Sequence, residues 1–80
     1  MTENKWIRFE KVRDTGKTEI WDVINKSSSN SIATIAWYGP WRQYVVQPAD
    51  NTVWNDGCLK SVVEFLGQLN AEHKARLSPV

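Results

Sequence analysis

Eighty residues, 41% hydrophobic and 24% charged with five tryptophans, make one globular domain spanning 1–80 and leave no room for a second. Ten Lys/Arg against nine Asp/Glu give a formal net charge of +1, which argues against a broad phosphate-tracking surface. A single cysteine excludes an internal disulfide, and no run approaches the ~18 apolar residues of a membrane span. A chain this short buries only about 60–65% of its unfolded surface, so its core must be efficient or shared with a partner. The opening residues carry no charged-then-apolar signal pattern, and the expected location is cytoplasmic.

Residues 1–4 are polar and expected to fray, as are 77–80. From Lys5 to Arg13 apolar and polar residues alternate, predicting a strand with Ile7 and Phe9 on one face and Trp6, Arg8, Glu10 and Val12 on the other. Asp14-Thr15-Gly16-Lys17 is turn chemistry, with Gly16 where positive φ is needed. A second strand follows over Thr18 to Lys26, directing Trp21 and Val23 one way and Ile20, Asp22 and Ile24 the other. The polar loop 27–31 leads to two aromatic-rich runs flanking Gly39-Pro40, a hairpin signal. A type II′ turn there makes Tyr38 and Trp41 neighbours, and pairs Trp37 with Arg42, Ile35 with Tyr44 and Ala33 with Val46. Val53-Trp54 is a candidate fifth short edge segment.

The last element is a helix. Asn55 or Asp56 serves as its N-cap, and Leu59, Val62, Val63, Phe65, Leu66 and Leu69 form its apolar stripe. Lys74 and Arg76 suit its C-terminal end, and Ser78-Pro79 stops it. Cys58 at its start reads as a small core residue rather than a nucleophile. The fold is therefore α+β: a four-stranded antiparallel β-meander packed on one C-terminal amphipathic helix. Its core face gathers Ile7, Phe9, Trp21, Val23, Ala33, Ile35, Trp37, Tyr44 and Val46. The second face is wet but not blandly polar, since Trp6, Ile20, Ile24, Ile32, Tyr38, Trp41 and Val45 fall on it. One helix cannot cover both sides, so this face is a partner surface, and a homodimer would supply the missing burial.

Two residue sets follow. Trp6, Tyr38 and Trp41, with Arg8 and Gln43, are the predicted partner contacts, because Trp, Tyr and Arg dominate interface energetics. Trp37, Arg42 and Tyr44, with Lys60 reaching from the helix start, make an alternative site for a nucleotide or other anion, with Arg42 over the Trp37 indole. Arg42 pairing with Asp56 or Glu64 is the structural counterpart of that alternative. His73 lacks ligand-spaced partners and reads as a surface histidine near the helix end. No metal site, cofactor or catalytic group is expected.

The stretches I-A-W-Y-G-P-W-R-Q-Y-V-V-Q-P and V-W-N-D-G-C-L-K-S-V-V-E-F-L-G-Q-L-N resemble a group of small bacterial and phage proteins. The likeness rests on Ile35, Trp37, Trp41, Arg42, Tyr44, Pro48, Cys58, Leu59, Phe65, Leu69 and Asn70, with Trp21 and Val23 upstream, and covers about residues 18–70. Ala33 and Ala36 stand where the group often has Gly and Lys, which removes a lysine from any shared anion-binding role. The resemblance implies a phage or mobile-element setting, and hence the host cytosol. The expected function is a non-catalytic protein that inhibits a host defence protein by occupancy. The alternatives are a nucleotide- or anion-sequestering module and, third, single-stranded nucleic-acid binding.

Overall fold

The computed structural model describes residues 4–77. Strands β1 (Ile7–Asp14), β2 (Glu19–Asn25), β3 (Ser31–Tyr38) and β4 (Gln43–Pro48) form one antiparallel sheet in the order β1-β2-β3-β4. A single helix, α1 (Asp56–Leu77), follows and covers one face, which is the α+β meander expected. Among the described residues Val53 and Trp54 add no fifth strand. Val53 is 92% exposed and the Trp54 indole N–H donates to Thr52 Oγ1 at 2.9 Å. Residues 78 and 79, expected to stop the helix, lie outside the described residues.

Local chemistry sets the turns. Gly16 adopts φ +88°, and its N–H donates to Asp14 Oδ1 at 2.9 Å, an Asx turn that reverses β1 into β2. Two irregularities bend the sheet. The β1–β2 register shifts between Lys11 and Arg13, leaving Val12 as the extra, exposed residue of a bulge. Val23 pairs with Ala33 but Ile24 with Ser31, so Ile32 is the extra residue of β3. That bulge turns Ile32 inward against the core, away from the outer face on which strict alternation put it.

The core face is the one anticipated. Ile7, Val23, Ala33, Ile35 and Tyr44 are buried there with Cys58, Val62, Phe65 and Leu69 of α1, and Phe9, Trp21, Trp37 and Val46 pack around them. Phe9 and Phe65 stack at 4.2 Å, and Trp21 meets Phe65 edge-on at 4.9 Å, an aromatic trio that fixes the helix over β1 and β2. The helical stripe is rotated from its expected centre. Cys58, Ser61, Val62, Phe65 and Leu69 face the sheet, while Leu59 and Val63 are exposed beside the β4 side. Periodicity marks an apolar arc, but a sheet touches only part of so wide an arc.

The start of α1 is capped and tied to the first strand. Asn55 is the N-cap: its Oδ1 accepts the Cys58 N–H at 2.8 Å. Asn4, expected to fray, is a latch instead. Its Oδ1 accepts the N–H groups of Trp6 and Ile7 at 2.8 and 3.0 Å, and its Nδ2 donates to Gly57 O and Ser61 Oγ at 3.1 and 2.9 Å. One amide side chain thus ties the first strand to the first turn of α1. Replacing Asn4 by Ala should lower the unfolding free energy by about 2 kcal/mol, since several part-buried groups lose partners together. Equilibrium urea unfolding measures this, with an unchanged m-value showing that the folded state stays compact. Phe65→Ala, which empties the aromatic trio, should cost more, about 3–5 kcal/mol by the same measurement.

Candidate binding surfaces at the β3–β4 reversal

The hairpin reverses over four residues rather than two. Gly39–Trp41 form a 3-10 turn, and the Arg42 N–H donates to Gly39 O at 3.1 Å. Proline explains the choice. Its fixed φ suits the first central position of a type I-like turn, with Gly39 before it. The left-handed residue is then not Gly39 but Arg42, at φ 52° and ψ 47°. The register consequently pairs Tyr38 with Gln43, Trp37 with Tyr44, Ile35 with Val46 and Ala33 with Pro48, two residues away from the expected pairing. A two-residue offset leaves the side chains of β4 on their expected faces.

On the inner side, the turn and the last turns of α1 enclose a cleft of about 310 Å³ lined by Trp37, Arg42, Gln43, Asn70, His73 and Lys74. His73 is not the lone surface residue expected. Its ring lies 4.2 Å from that of Trp37, and Tyr44 approaches Trp37 edge-on at 5.5 Å and His73 at 6.0 Å. The Nδ1 of His73 is buried without a hydrogen-bond partner among the described residues. Of the expected anion set, Trp37 and Arg42 line this cleft while Tyr44 is buried behind Trp37, and His73 rather than Arg42 lies against the indole. The cation–aromatic contacts among the described residues are Lys5 on Trp6 and Lys11 on Trp21. Arg42 forms no ion pair with Asp56 or Glu64 among the described residues. Lys60 is placed elsewhere: it lies ten residues before Asn70, about 15 Å away along the helix axis.

On the outer side, Tyr38 and Trp41 meet edge-on at 5.1 Å, with Trp41 65% exposed. Trp41 also borders a shallow cleft of about 360 Å³ that wraps the β4 edge, between Val45 and Val46 of the strand and Val63 and Leu66 of the helix. Val63 is 66% exposed. Asn70 stands between the two clefts and lines both. Its Oδ1 accepts the Tyr44 N–H at 2.7 Å, closing one outward-pointing amide of the edge strand.

The expected five-residue contact set is only partly brought together. Tyr38, Trp41 and Gln43 adjoin. Trp6 does not join them: it lies at the other end of the sheet, where its carbonyl accepts the Lys26 N–H at 2.9 Å, and its ring sits on the start of α1. A Cβ at Gly57 would come within 2.8 Å of Trp6 Cζ3. Arg8 belongs to β1, three inter-strand spacings or about 14 Å from β4, and is occupied with Glu10 at 3.1 Å. Ile24 is buried and Ile32 turned inward, so the expected outer patch contracts to its β3–β4 end. Sequence reading also missed Glu19, buried in β2 at the same end of the sheet as Trp37 and Tyr44. Its carboxylate accepts the Trp21 indole N–H at 2.8 Å and lies 3.8 Å from Lys11 Nζ, while its own N–H donates to the Tyr44 hydroxyl at 2.9 Å.

The chain is similar to an uncharacterized 9.3 kDa protein of Acholeplasma phage L2, with 34% identity over 71 residues that span 88% of this chain and 91% of the phage protein. The chain belongs to this phage-protein family. No family model and no solved structure matches it. The family match spans more residues than the 18–70 stretch that carried the resemblance, so it takes in much of the β1 region as well as the hairpin and helix. No described helix is long and apolar enough to cross a membrane.

For this member of the phage family, Asn70 is the side chain that holds the β4 edge against α1. Asn70→Ala should speed hydrogen exchange of the Tyr44 amide at least tenfold by removing its acceptor, and lower global stability by about 1 kcal/mol. Amide exchange followed by NMR reads the first effect, and urea unfolding the second.

Proposed function

We propose that this chain is a non-catalytic binding protein that acts by occupying a surface of another protein, as a phage accessory factor that inhibits a host defence component. The observation that carries this reading is the contrast between the two sheet edges. β1 is charged at Arg8, Glu10, Lys11, Arg13 and Asp14 and kinked by its bulge, both features that discourage strand-edge association. β4 reads Gln-Tyr-Val-Val-Gln-Pro with no charge at all, and exposed Trp41 and Val63 flank the apolar cleft beside it. An uncharged edge next to exposed tryptophan is the kind of surface in which binding energy concentrates.

The titratable side chains fit a non-catalytic role. Glu19 is held by Trp21 and Lys11, Cys58 is buried, and Arg8 is paired with Glu10. The reading extends to self-association through the same strip, because a second copy supplies burial that a short chain lacks. Tyr38, Trp41 and Gln43 are the proposed contacts, joined by Val46 and Val63, in place of Trp6 and Arg8.

Trp41→Ala and Val63→Lys, both at exposed positions, should each weaken association with a captured host protein by at least tenfold, about 1.4 kcal/mol. Both variants should keep the wild-type circular dichroism. Calorimetric titration against the purified partner measures the loss, and wild-type affinity in a folded Trp41→Ala variant would move the interface elsewhere. Sedimentation equilibrium of the chain alone should show a mass above 9.2 kDa that falls to the monomer value in Trp41→Ala.

A further inference from the structure

We infer that the inner cleft is a separate small-molecule site, selective for an anion carried on a planar ring, of the size of a nucleoside monophosphate. Its floor is aromatic: Trp37 and His73 lie 4.2 Å apart with Tyr44 edge-on beside both. Its polar lining is rich in hydrogen-bond donors. Arg42 and Lys74 bring two cations, and Asn70, whose Oδ1 is taken by the Tyr44 N–H, has an NH₂ group with no acceptor among the described residues. Among the described residues no carboxylate lines the cleft, and neither Arg42 nor Lys74 has an acidic partner. A volume of about 310 Å³ is at the small end of ligand sites.

Two further observations bear on the same place. A buried ring nitrogen, His73 Nδ1, has no hydrogen-bond partner among the described residues, and such orphans are uncommon in native structures. Arg42 holds a left-handed conformation that glycine or asparagine would adopt more easily. The residue at that position therefore costs conformational energy, and what it adds there is a guanidinium at the mouth of the cleft. Strain of this kind gathers at ligand-binding positions.

The test is an NMR titration of the full chain, observing the Trp37 indole N–H (assigned with Trp37→Phe) and the His73 ring. The probes are AMP, adenosine and inorganic phosphate. AMP should bind saturably with a Kd below about 1 mM, and adenosine and phosphate at least tenfold more weakly. Affinity should fall as salt rises, because both cations are near the surface. Arg42→Gly separates a ligand role from a structural one: it relieves the left-handed strain, so its Tm should equal or exceed wild type while AMP affinity falls at least tenfold. Lys74→Gln should weaken AMP with Tm unchanged. Absence of any shift at Trp37 and His73 up to about 10 mM AMP overturns the site. Adenosine or phosphate binding as tightly as AMP overturns the two-part recognition. A single-stranded oligoadenylate that binds far more tightly than AMP, with a steep salt dependence, overturns it in favour of nucleic-acid binding. This site does not depend on the protein-binding reading, whose variants Trp41→Ala and Val63→Lys should leave AMP affinity unchanged.

Discussion

The reversal between β3 and β4 contains an even number of residues, and the arrangement of the molecule depends on that parity. A side chain in a strand alternates faces with every step, so an odd-length reversal would exchange the inward and outward sets of β4. With residues 39–42 in the turn, Tyr44 and Val46 enter the core beside Trp37 and Ile35. Tyr38 and Trp41 are left at the rim, touching each other and solvent. Tyr44 then reaches across two strands to receive the Glu19 N–H, and α1 closes on Trp37 through His73. Core, cleft and exposed rim are three consequences of one four-residue turn.

The two long edges of the sheet have been left in different states. β1 is defended by alternating charge and a bulge, and is latched to α1 by Asn4 at its start. β4 is defended only where Asn70 takes the Tyr44 N–H and where Pro48 has none to offer. Val46 lies between those points. By strand alternation its N–H points the same way as that of Tyr44, beside Val63 and Leu66. An 80-residue chain with one sheet and one helix has little surplus stability. An undefended apolar edge in such a chain is therefore better read as use than as neglect.

The fold was legible in the sequence because its signals were strong and local. Alternation at Ile7 and Phe9, glycine at the β1–β2 turn, and a long apolar helical stripe each specified an element. The face assignment survived a wrong turn type because the error in register was two residues. What was not legible depended on small irregularities and on long-range contact. A single extra residue at Val12 and another at Ile32 changed which side chains face out, and nothing in the local sequence announces a bulge. Trp6 was misplaced because it precedes the regular strand and follows the helix start instead of the pleat. His73 looked isolated since its partner, Trp37, is distant in sequence. Lys60 looked available only while the direction of α1 across the sheet was unknown.

Arg42 is where these strands of reasoning meet. Local preference, turn chemistry and packing agree almost everywhere else in the chain, as they do in sequences that fold to one structure. At Arg42 they disagree, because the backbone wants a residue without a side-chain penalty and the sequence supplies a long cation. Glycine would satisfy the turn and leave Trp37, His73 and Lys74 in place, but it would take the Arg42 guanidinium away from the cleft. Proline at position 40 forces the issue, since it fixes a turn whose left-handed position must fall two residues later. A left-handed backbone position and a long cation at the mouth of the cleft thus coincide in Arg42, and a purely structural account leaves that coincidence without a cause.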